Sequence, residues 1–435
     1  MSDPAALDRL LALARPLPAG APAFAGALRA RGRARFAALG FPTTRSEDWK
    51  YTNLTPLARQ TFAAAPAANG AAAALVAGAR LGAGIELVFV NGRYAADLST
   101  PGALPAGVVV ASLAATLTEQ PGRLEPHLGR LADLEADGMA ALNSACVEDG
   151  AVVLLPDGVA LDAPVHCLFV STPCDAPTVS HPRTLIVAGA GSRATVIEHY
   201  VGAGVYWTNA VTEIALGAGA DLTHHRVQGE DVRAFHLAAL AAAQGADSHF
   251  TSHAVSFGAA LSRGDLATRF EAAGAACRFD GLYLADGAQH VDHHTTIDHR
   301  QPRGVSRELY KGILAGRASG VFNGKVLVRP DAQQTDAQQM NRTLLLSDDA
   351  QIDTKPQLEI FADDVKCSHG ATIGQLDEAA IFYLRGRGIG AADARRLLIH
   401  AFANELVERV AVAPLRRQLE TALAARLPAM TGATA

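Results

Sequence analysis

The stretches that decide the fold are "IVAGAGSRAT" (Ile186–Thr195) and "IALGAGADLT" (Ile214–Thr223). Each consists of an apolar run, a tight glycine turn and a second run, and the matching glycines Gly191 and Gly219 lie 28 residues apart. A weaker third copy, "AAQGADSHFTSH", has Gly245 a further 26 residues along the chain. One turn in each repeat of this length is typical of a solenoid, whose coils bury one face and stack on their neighbours. The repeat predicts a parallel β-helix, although a sandwich or barrel also fits.

The rest of the chain divides by style into three regions. Residues 146–372 contain short apolar runs separated by Gly, Pro and Asp, which predicts the β-helix core. Residues 1–145 form a helical and mixed N-terminal region, with a hairpin predicted at Asn91-Gly92. Residues 373–435 have helical periodicity and predict a C-terminal helical domain. The fold class is therefore mainly β, with helical regions on both sides of the β-helix.

The apolar stripes of the C-terminal domain define its expected helix faces. One stripe contains Ala379, Ile381, Phe382 and Leu384. A second helix, which runs to about residue 410, has the stripe Leu397, Leu398, Ala401, Phe402 and Leu406. A third helix starts at about residue 414. Helices at this position could cap the solenoid or form a docking surface.

Composition excludes several classes of partner. The 38 basic and 43 acidic side chains nearly balance, and no block of like charge predicts binding to nucleic acid or to an anionic membrane. No apolar run approaches the roughly 20 residues of a membrane span. Asp3, Asp8 and Arg9 interrupt the N-terminus, which argues against a secretory signal. Five cysteines without a CxxC pattern fit a reducing compartment, so we expect a cytoplasmic protein.

The motifs of common enzyme classes are absent from the sequence. It contains no GxxxxGK[ST], GxGxxG, HExxH or GxSxG pattern. Without a P-loop, nucleotide hydrolysis is not expected of this chain. We therefore expect a protein that is not an enzyme.

A histidine-rich segment, "AQHVDHHTTIDHR" (288–300), offers metal-ligand residue types. Because side chains alternate along a strand, the imidazoles would be divided between two faces. We therefore expect a polar ladder on stacked strands rather than a metal site, and the roles of its histidines stay open. One face would hold His290, Asp292 and His294, and the other His293, Thr295, Ile297 and His299.

The other histidines and cysteines also favour structural roles. The adjacent pairs His166–Cys167 and His224–His225 would point to opposite faces of their strands. Three further cysteines have no partner at ligand spacing and are expected to be simple buried or surface thiols. These are Cys146, Cys174 and Cys277.

The segment "DVKCSHGAT" (364–372) differs, because Cys367 and His369 are two residues apart. On an extended strand such residues share a face, with Cα atoms roughly 6 to 7 Å apart. Thiolate and imidazole suit zinc, iron and iron–sulfur species. Two ligands are too few for a closed four-coordinate site, so the others would come from elsewhere in the chain or from another subunit. The alternative is a buried thiol that supports the end of a strand.

Three long motifs carry a family resemblance. They are "RSEDWKYTNL" (45–54), "ALNSACVEDGAVVLLPDGVALDAPVHCLFV" (141–170) and the region 289–389, which includes "HVDHHTTIDH" and "DVKCSHGAT". The sequence resembles the SufB/SufD family of iron–sulfur cluster assembly scaffolds, and most closely its SufD branch. The resemblance covers most of the chain. It implies a right-handed parallel β-helix with helical regions at both ends.

The resemblance also implies partners and a site. A SufB-like paralogue would pair with the end of the β-helix, and a SufC-like P-loop ATPase would dock on residues 376–428 and drive rearrangement. His369 matches the family histidine at the paralogue interface, which is thought to act with a partner cysteine in cluster assembly. Cys367 matches the cysteine of the same motif. No firmly bound cofactor is expected, but a transient cluster or iron could form at this interface, in the SUF system complex known as SufBCD.

Two alternatives stay open. One is a SufB-like scaffold that forms a homodimer, but Gly370 stands where SufB-like chains tend to have glutamate, and the long SufB N-terminal region is missing. The other is a carbohydrate-active β-helix enzyme. The segments "SRGDLATRF" and "RPDAQQTD" contain acidic and basic residues but no paired-carboxylate pattern. The type of cluster, the iron and sulfur donors, and whether this chain binds iron are not specified by the sequence.

Overall fold

The computed structural model describes residues 4–18, 20–67 and 70–430. The outer ends of the predicted N- and C-terminal regions, residues 1–3 and 431–435, lie outside the described residues. In the described part the α-helices are α1 (Pro4–Ala12), α2 (Ala23–Leu39), α3 (Thr55–Ala58), α4 (Ala71–Ala79), α5 (Leu113–Glu119), α6 (Gly138–Cys146), α7 (Glu378–Gly386), α8 (Ala391–Val407) and α9 (Ala413–Met430).

The strands of the N-terminal region and the first coils are β1 (Ala63–Ala64), β2 (Ile85–Val90), β3 (Arg93–Tyr94), β4 (Val109–Ser112), β5 (Ala151–Leu155), β6 (Val165–Ser171), β7 (Thr178–Ser180), β8 (Arg183–Ala188) and β9 (Arg193–Gly202). The later coils are formed by β10 (Tyr206–Leu216), β11 (Asp221–Gly229), β12 (Phe235–Gln244), β13 (His249–Ser256), β14 (Leu261–Phe270), β15 (Ala276–Ala285), β16 (His290–His299), β17 (Val305–Leu314), β18 (Ser319–Val328), β19 (Thr335–Leu345), β20 (Gln351–Ile360) and β21 (Val365–Gly374).

The strands form two ladders of a parallel β-helix, as the repeat predicts. From β8 onward the even-numbered strands stack in one sheet and the odd-numbered strands in the other, so the chain alternates between sheets. Pairing is parallel throughout this region. Antiparallel pairing occurs between β2 and β3, around the predicted Asn91-Gly92 turn, and between β4 and β5. The mainly β fold class, with helices on both sides, is confirmed.

The 28-residue spacing of the repeat is the length of one coil. Ile214 pairs with Ile186 in one sheet, and Thr223 pairs with Thr195 in the other. Equal coil lengths keep every side chain above its equivalent, so apolar positions stack on apolar positions. The repeat in sequence therefore reports the register directly.

The third copy was aligned on the wrong glycine. Gly245 stacks on Gly217, and the position equivalent to Gly219 is occupied by Asp247. The turn requires a positive φ, which is 64° at Gly219 and 52° at Asp247. Aspartate tolerates this left-handed region better than most residues. The true offset is again 28 residues, so matching glycine with glycine misplaced this coil by two.

The core lies inside the solenoid and is lined by inward side chains of both sheets. Phe250, Phe270, Phe279 and Phe322 are essentially inaccessible to solvent there. A second apolar layer joins the outer face of the odd-numbered sheet to α8 and α9. Burial of each Leu or Ile side chain contributes about 1.5–3 kcal/mol. The C-terminal helices are therefore fixed along the flank of the β-helix.

The outer face of the even-numbered sheet is covered by the N-terminal region. Trp207 of β10 is fully buried against Phe41 and Phe62. Beside it, Arg183 donates to Glu213 at 2.7 Å, and neither side chain is accessible. None of the described helices combines the length and apolarity needed to cross a lipid bilayer.

Candidate metal and partner site at the last coil

The candidate ligands Cys367 and His369 lie on β21, the last strand of the odd-numbered sheet. They pair in register with Ala337 and Gln339 of β19, both of which are buried on the inner side of the sheet. Cys367 and His369 therefore share one face of their strand, as the alternation predicts. Because no further coil of this chain stacks on β21, His369 is exposed and Cys367 is half-buried.

Cys367 is the better-packed member of the pair. Its side chain contacts an apolar cluster that includes Val326, Val328 and Ala337. Burial, assisted by the nearby negative charge of Asp336, raises the pKa of the Cys367 thiol. The thiol is consequently protonated at neutral pH, and metal binding would have to displace its proton.

His369 is the more accessible member. Within the described residues its imidazole has no hydrogen bond or ion pair. It lies at the edge of a cleft of about 430 Å³ between the odd-numbered sheet and the C-terminal end of α8. An imidazole held on a rigid strand without a partner is available to a ligand or to another subunit.

The cleft beside His369 contains charges of both signs. Arg409 after α8 donates to Asp280 of β15 at 2.7 Å, and Lys311 of β17 donates to Glu405 and to the Phe402 carbonyl. Burial raises the pKa of Asp280, and the Arg409 guanidinium opposes that shift. These contacts connect α8 to the strands behind the site.

This chain does not complete a metal site from its own side chains. Among the described residues, no three or more His, Cys, Asp and Glu side chains are grouped as potential metal ligands. Cys367 and His369 therefore supply at most two positions of a four-coordinate site. The requirement for ligands from a second chain stays a prediction.

The histidine-rich segment forms β16 and divides between faces as predicted. Asp292 faces outward, where it accepts from Thr52 Oγ1 at 2.5 Å, Arg263 Nη1 at 2.8 Å and His294 Nε2 at 3.1 Å. Although burial alone would raise it, Arg263 and His294 hold the pKa of Asp292 well below its ordinary value. His293 faces inward and is buried. This outer network attaches the "RSEDWKYTNL" loop to the β-helix.

The remaining histidines and cysteines also have the expected structural surroundings. His166 lies 3.0 Å from Glu86, while Cys167 faces the core. His224 lies 2.9 Å from Glu198 inside the solenoid, while His225 stacks on His253 on the outside. All five cysteines are free thiols.

Two predicted helix-face residues point away from the protein. Ile381 of α7 is buried, but Phe382 beside it is 77% exposed, and Leu397 of α8 is half exposed. Tyr383 adds a third exposed apolar side chain. The sequence missed this surface because periodicity marks an apolar stripe without showing which part packs against the same chain.

The open end of the β-helix is a second surface that the sequence did not locate. Among the described strands, β20 pairs with β18 alone and β21 with β19 alone, so each leaves one edge without a partner. Phe361 and Ile373, at the ends of these strands, are exposed. Unpaired N–H and C=O groups along two ten-residue strands form a template for another chain.

Comparisons with known proteins agree on one family. Residues 169–402 match the family described as SUF system FeS cluster assembly, SufBD core domain, and residues 15–167 match the SufBD protein N-terminal region. A SufBD family protein of Synechocystis is 37% identical over 89% of this chain and 88% of its own length. SufD of Escherichia coli is 32% identical, covering 89% and 90%. ABCI7 of Arabidopsis thaliana, a chloroplastic protein, is 32% identical, covering 76% and 71%.

Proposed function

Because the chain belongs to the SufB/SufD family of iron–sulfur cluster assembly proteins and is SufD-like, we propose that it is a scaffold subunit rather than an enzyme. Its partners in this proposal are a SufB-like paralogue and a SufC-like P-loop ATPase. The five free thiols are consistent with work in the cytoplasm.

The observation that carries the proposal is the uncovered last coil, with Cys367 and His369 on its edge strand. A second β-helix end can continue both ladders by pairing with β20 and β21. Such pairing brings the partner's side chains next to His369. The paralogue thus supplies the ligands that this chain lacks, and iron or a nascent cluster is held between the two chains as cargo.

The C-terminal helices give the ATPase a place to dock. Phe382, Tyr383 and Leu397 form an exposed apolar surface on α7 and α8. Behind it, α8 is connected to β15 and β17 through Arg409 and Lys311. A nucleotide-driven movement of the helices is therefore transmitted to the strands beside His369.

Co-expression with the two partners tests this assignment. We expect a complex that contains this chain, the paralogue and the ATPase, with its composition measured by light scattering after size-exclusion chromatography. A chain that forms a cluster-binding homodimer instead would support the SufB-like alternative. A chain that stays monomeric in the presence of both partners would contradict the proposal.

A further inference from the structure

An arginine lies inside the solenoid without a counter-charge in contact. Arg226 of β11 is 6% exposed and occupies an inward position, two residues after the inward His224. Within the described residues its guanidinium forms no hydrogen bond and no ion pair. Burial of an ion costs several kcal/mol unless a partner compensates for it.

Small residues leave room around this guanidinium. In its own sheet, Ala254 and Gly281 occupy the equivalent positions of the next two coils. Across the lumen, a Cβ added to Gly264 would lie 2.0 Å from Arg226 Nη2, so the guanidinium spans the interior and rests on the glycine backbone. Glycine is required at 264 by this close approach.

A second polar side chain without a partner faces the same space. His293 of β16 is the register partner of Gly264 and is 1% exposed. Its ring lies between Tyr283 and Tyr310, with both centroid distances 5.3 Å. Neither ring nitrogen has a hydrogen-bond partner. Burial, followed by the positive charge of Arg226, lowers the pKa of His293 to about 3, so the neutral ring keeps one N–H donor.

The acidic side chains of the interior are already engaged elsewhere. Glu198 is the register partner of Arg226, but its oxygens accept from Thr184 and Thr212 and lie 2.9 Å from His224. The others are equally occupied. The engaged pairs are Glu198–His224, Glu230–His236 and Glu308–Gln339.

We propose that the lumen binds a small monovalent anion, of halide size, between the Arg226 guanidinium and the N–H of His293. The anion supplies the charge that no carboxylate provides, and it satisfies the donor of the imidazole. The surrounding small residues limit the site to an ion of a few ångströms. This site faces away from the surface that carries His369 and Cys367, so it does not depend on the proposed partners.

Bromide is a suitable probe because it scatters anomalously. Crystals of the full chain grown in sodium bromide should show an anomalous peak in contact with Arg226 and His293. In solution, the thermal midpoint should rise with bromide at constant ionic strength, set with sodium gluconate, because a ligand of the native state stabilises it. Water in place of the peak would overturn the proposal.

Two variants and one control separate the site from general salt effects. Arg226→Met should abolish the dependence on bromide, and His293→Phe should weaken it at least 10-fold in bromide affinity. Arg278→Met, the same change at an exposed position of β15, should leave it unaltered. Equal bromide dependence in wild type and Arg226→Met would also refute the site. If Arg226→Met does not fold, the diffraction experiment on the wild type decides.

Discussion

His369 at the open end of the β-helix is the register partner of Gln339, whose side-chain amide donates to Glu308 at 2.7 Å. The exposed candidate ligand is therefore two side chains away from a buried carboxyl group in the lumen. Burial raises the pKa of Glu308 to about 7. Protonation inside the β-helix and the state of the last coil are thus neighbours in space.

Glu308→Gln should make stability less dependent on pH. The pKa of Glu308 is raised in the folded state, from 4.5 to about 7, so its contribution to stability is fully present below pH 4.5. It is lost as the pH rises through 7. Urea unfolding at pH 5 and pH 7.5 should show a smaller loss in the variant than in the wild type. Identical losses would show that Glu308 is not protonated at the lower pH.

His369→Ala should reduce cluster assembly in the reconstituted complex at least 10-fold, measured by iron and sulfide content and by absorbance. The side chain is exposed and has no partner in the described structure, so the free energy of unfolding should change by less than about 0.5 kcal/mol. Ser368→Ala, its exposed neighbour on the opposite face, is the control and should assemble clusters normally. Normal assembly in His369→Ala would remove this residue from the site.

Cys367 should react slowly with iodoacetamide at pH 7 and faster as the pH increases, because its raised thiol pKa limits the reactive thiolate. Mass spectrometry of the alkylated chain measures this reaction. Cys167 and Cys277 are fully buried and should stay unmodified until the protein unfolds. Rapid labelling of Cys367 at neutral pH would contradict the protonated thiol.

Arg183→Met should cost about 3–5 kcal/mol of stability, because it leaves the buried Glu213 carboxylate without its cation. Although burial opposes ionisation, Arg183 and the Leu131 and Gly129 N–H groups lower the pKa of Glu213. Its stabilisation is therefore present above pH 4.5 and lost at lower pH. Denaturant unfolding measures the difference.

The matched control for this pair is Arg233→Met, which removes an exposed arginine from its ion pair with Asp231. Exposed pairs contribute about 0–1 kcal/mol. If the two variants lost equal stability, the buried network would not be the anchor of the N-terminal region.

Phe382→Asp should weaken binding of the ATPase at least 10-fold without changing the fold, because the side chain is 77% exposed on α7. Calorimetric titration of the two purified proteins measures the affinity. Val232→Asp makes the same kind of change at a 61% exposed position on a turn of the β-helix and should have no effect. Equal affinity for Phe382→Asp and wild type would place the ATPase on another surface.

The fold was predictable from the sequence because coil stacking requires a constant repeat. Ile186 and Ile214 carry that repeat, and their register proves it. Strand alternation likewise placed Cys367 and His369 on one face. The exchange of Asp247 for a turn glycine hid the third coil, since two residue types satisfy the same positive φ.

Other features depend on which elements of the chain meet, and a single sequence does not show this. The exposure of Phe382 follows from α7 packing through Ile381 alone. The interior position of Arg226 follows from its parity in β11, yet the absence of a paired carboxylate needs the neighbouring coils. Likewise, the free edges of β20 and β21 follow from where stacking stops.

The most direct test of the scaffold assignment is affinity purification of the tagged full chain from its native cells without oxygen, followed by mass spectrometry. We predict that a paralogous β-helix protein and a P-loop ATPase are recovered with the chain in stoichiometric amounts. Recovery of the chain with neither protein would contradict the assignment.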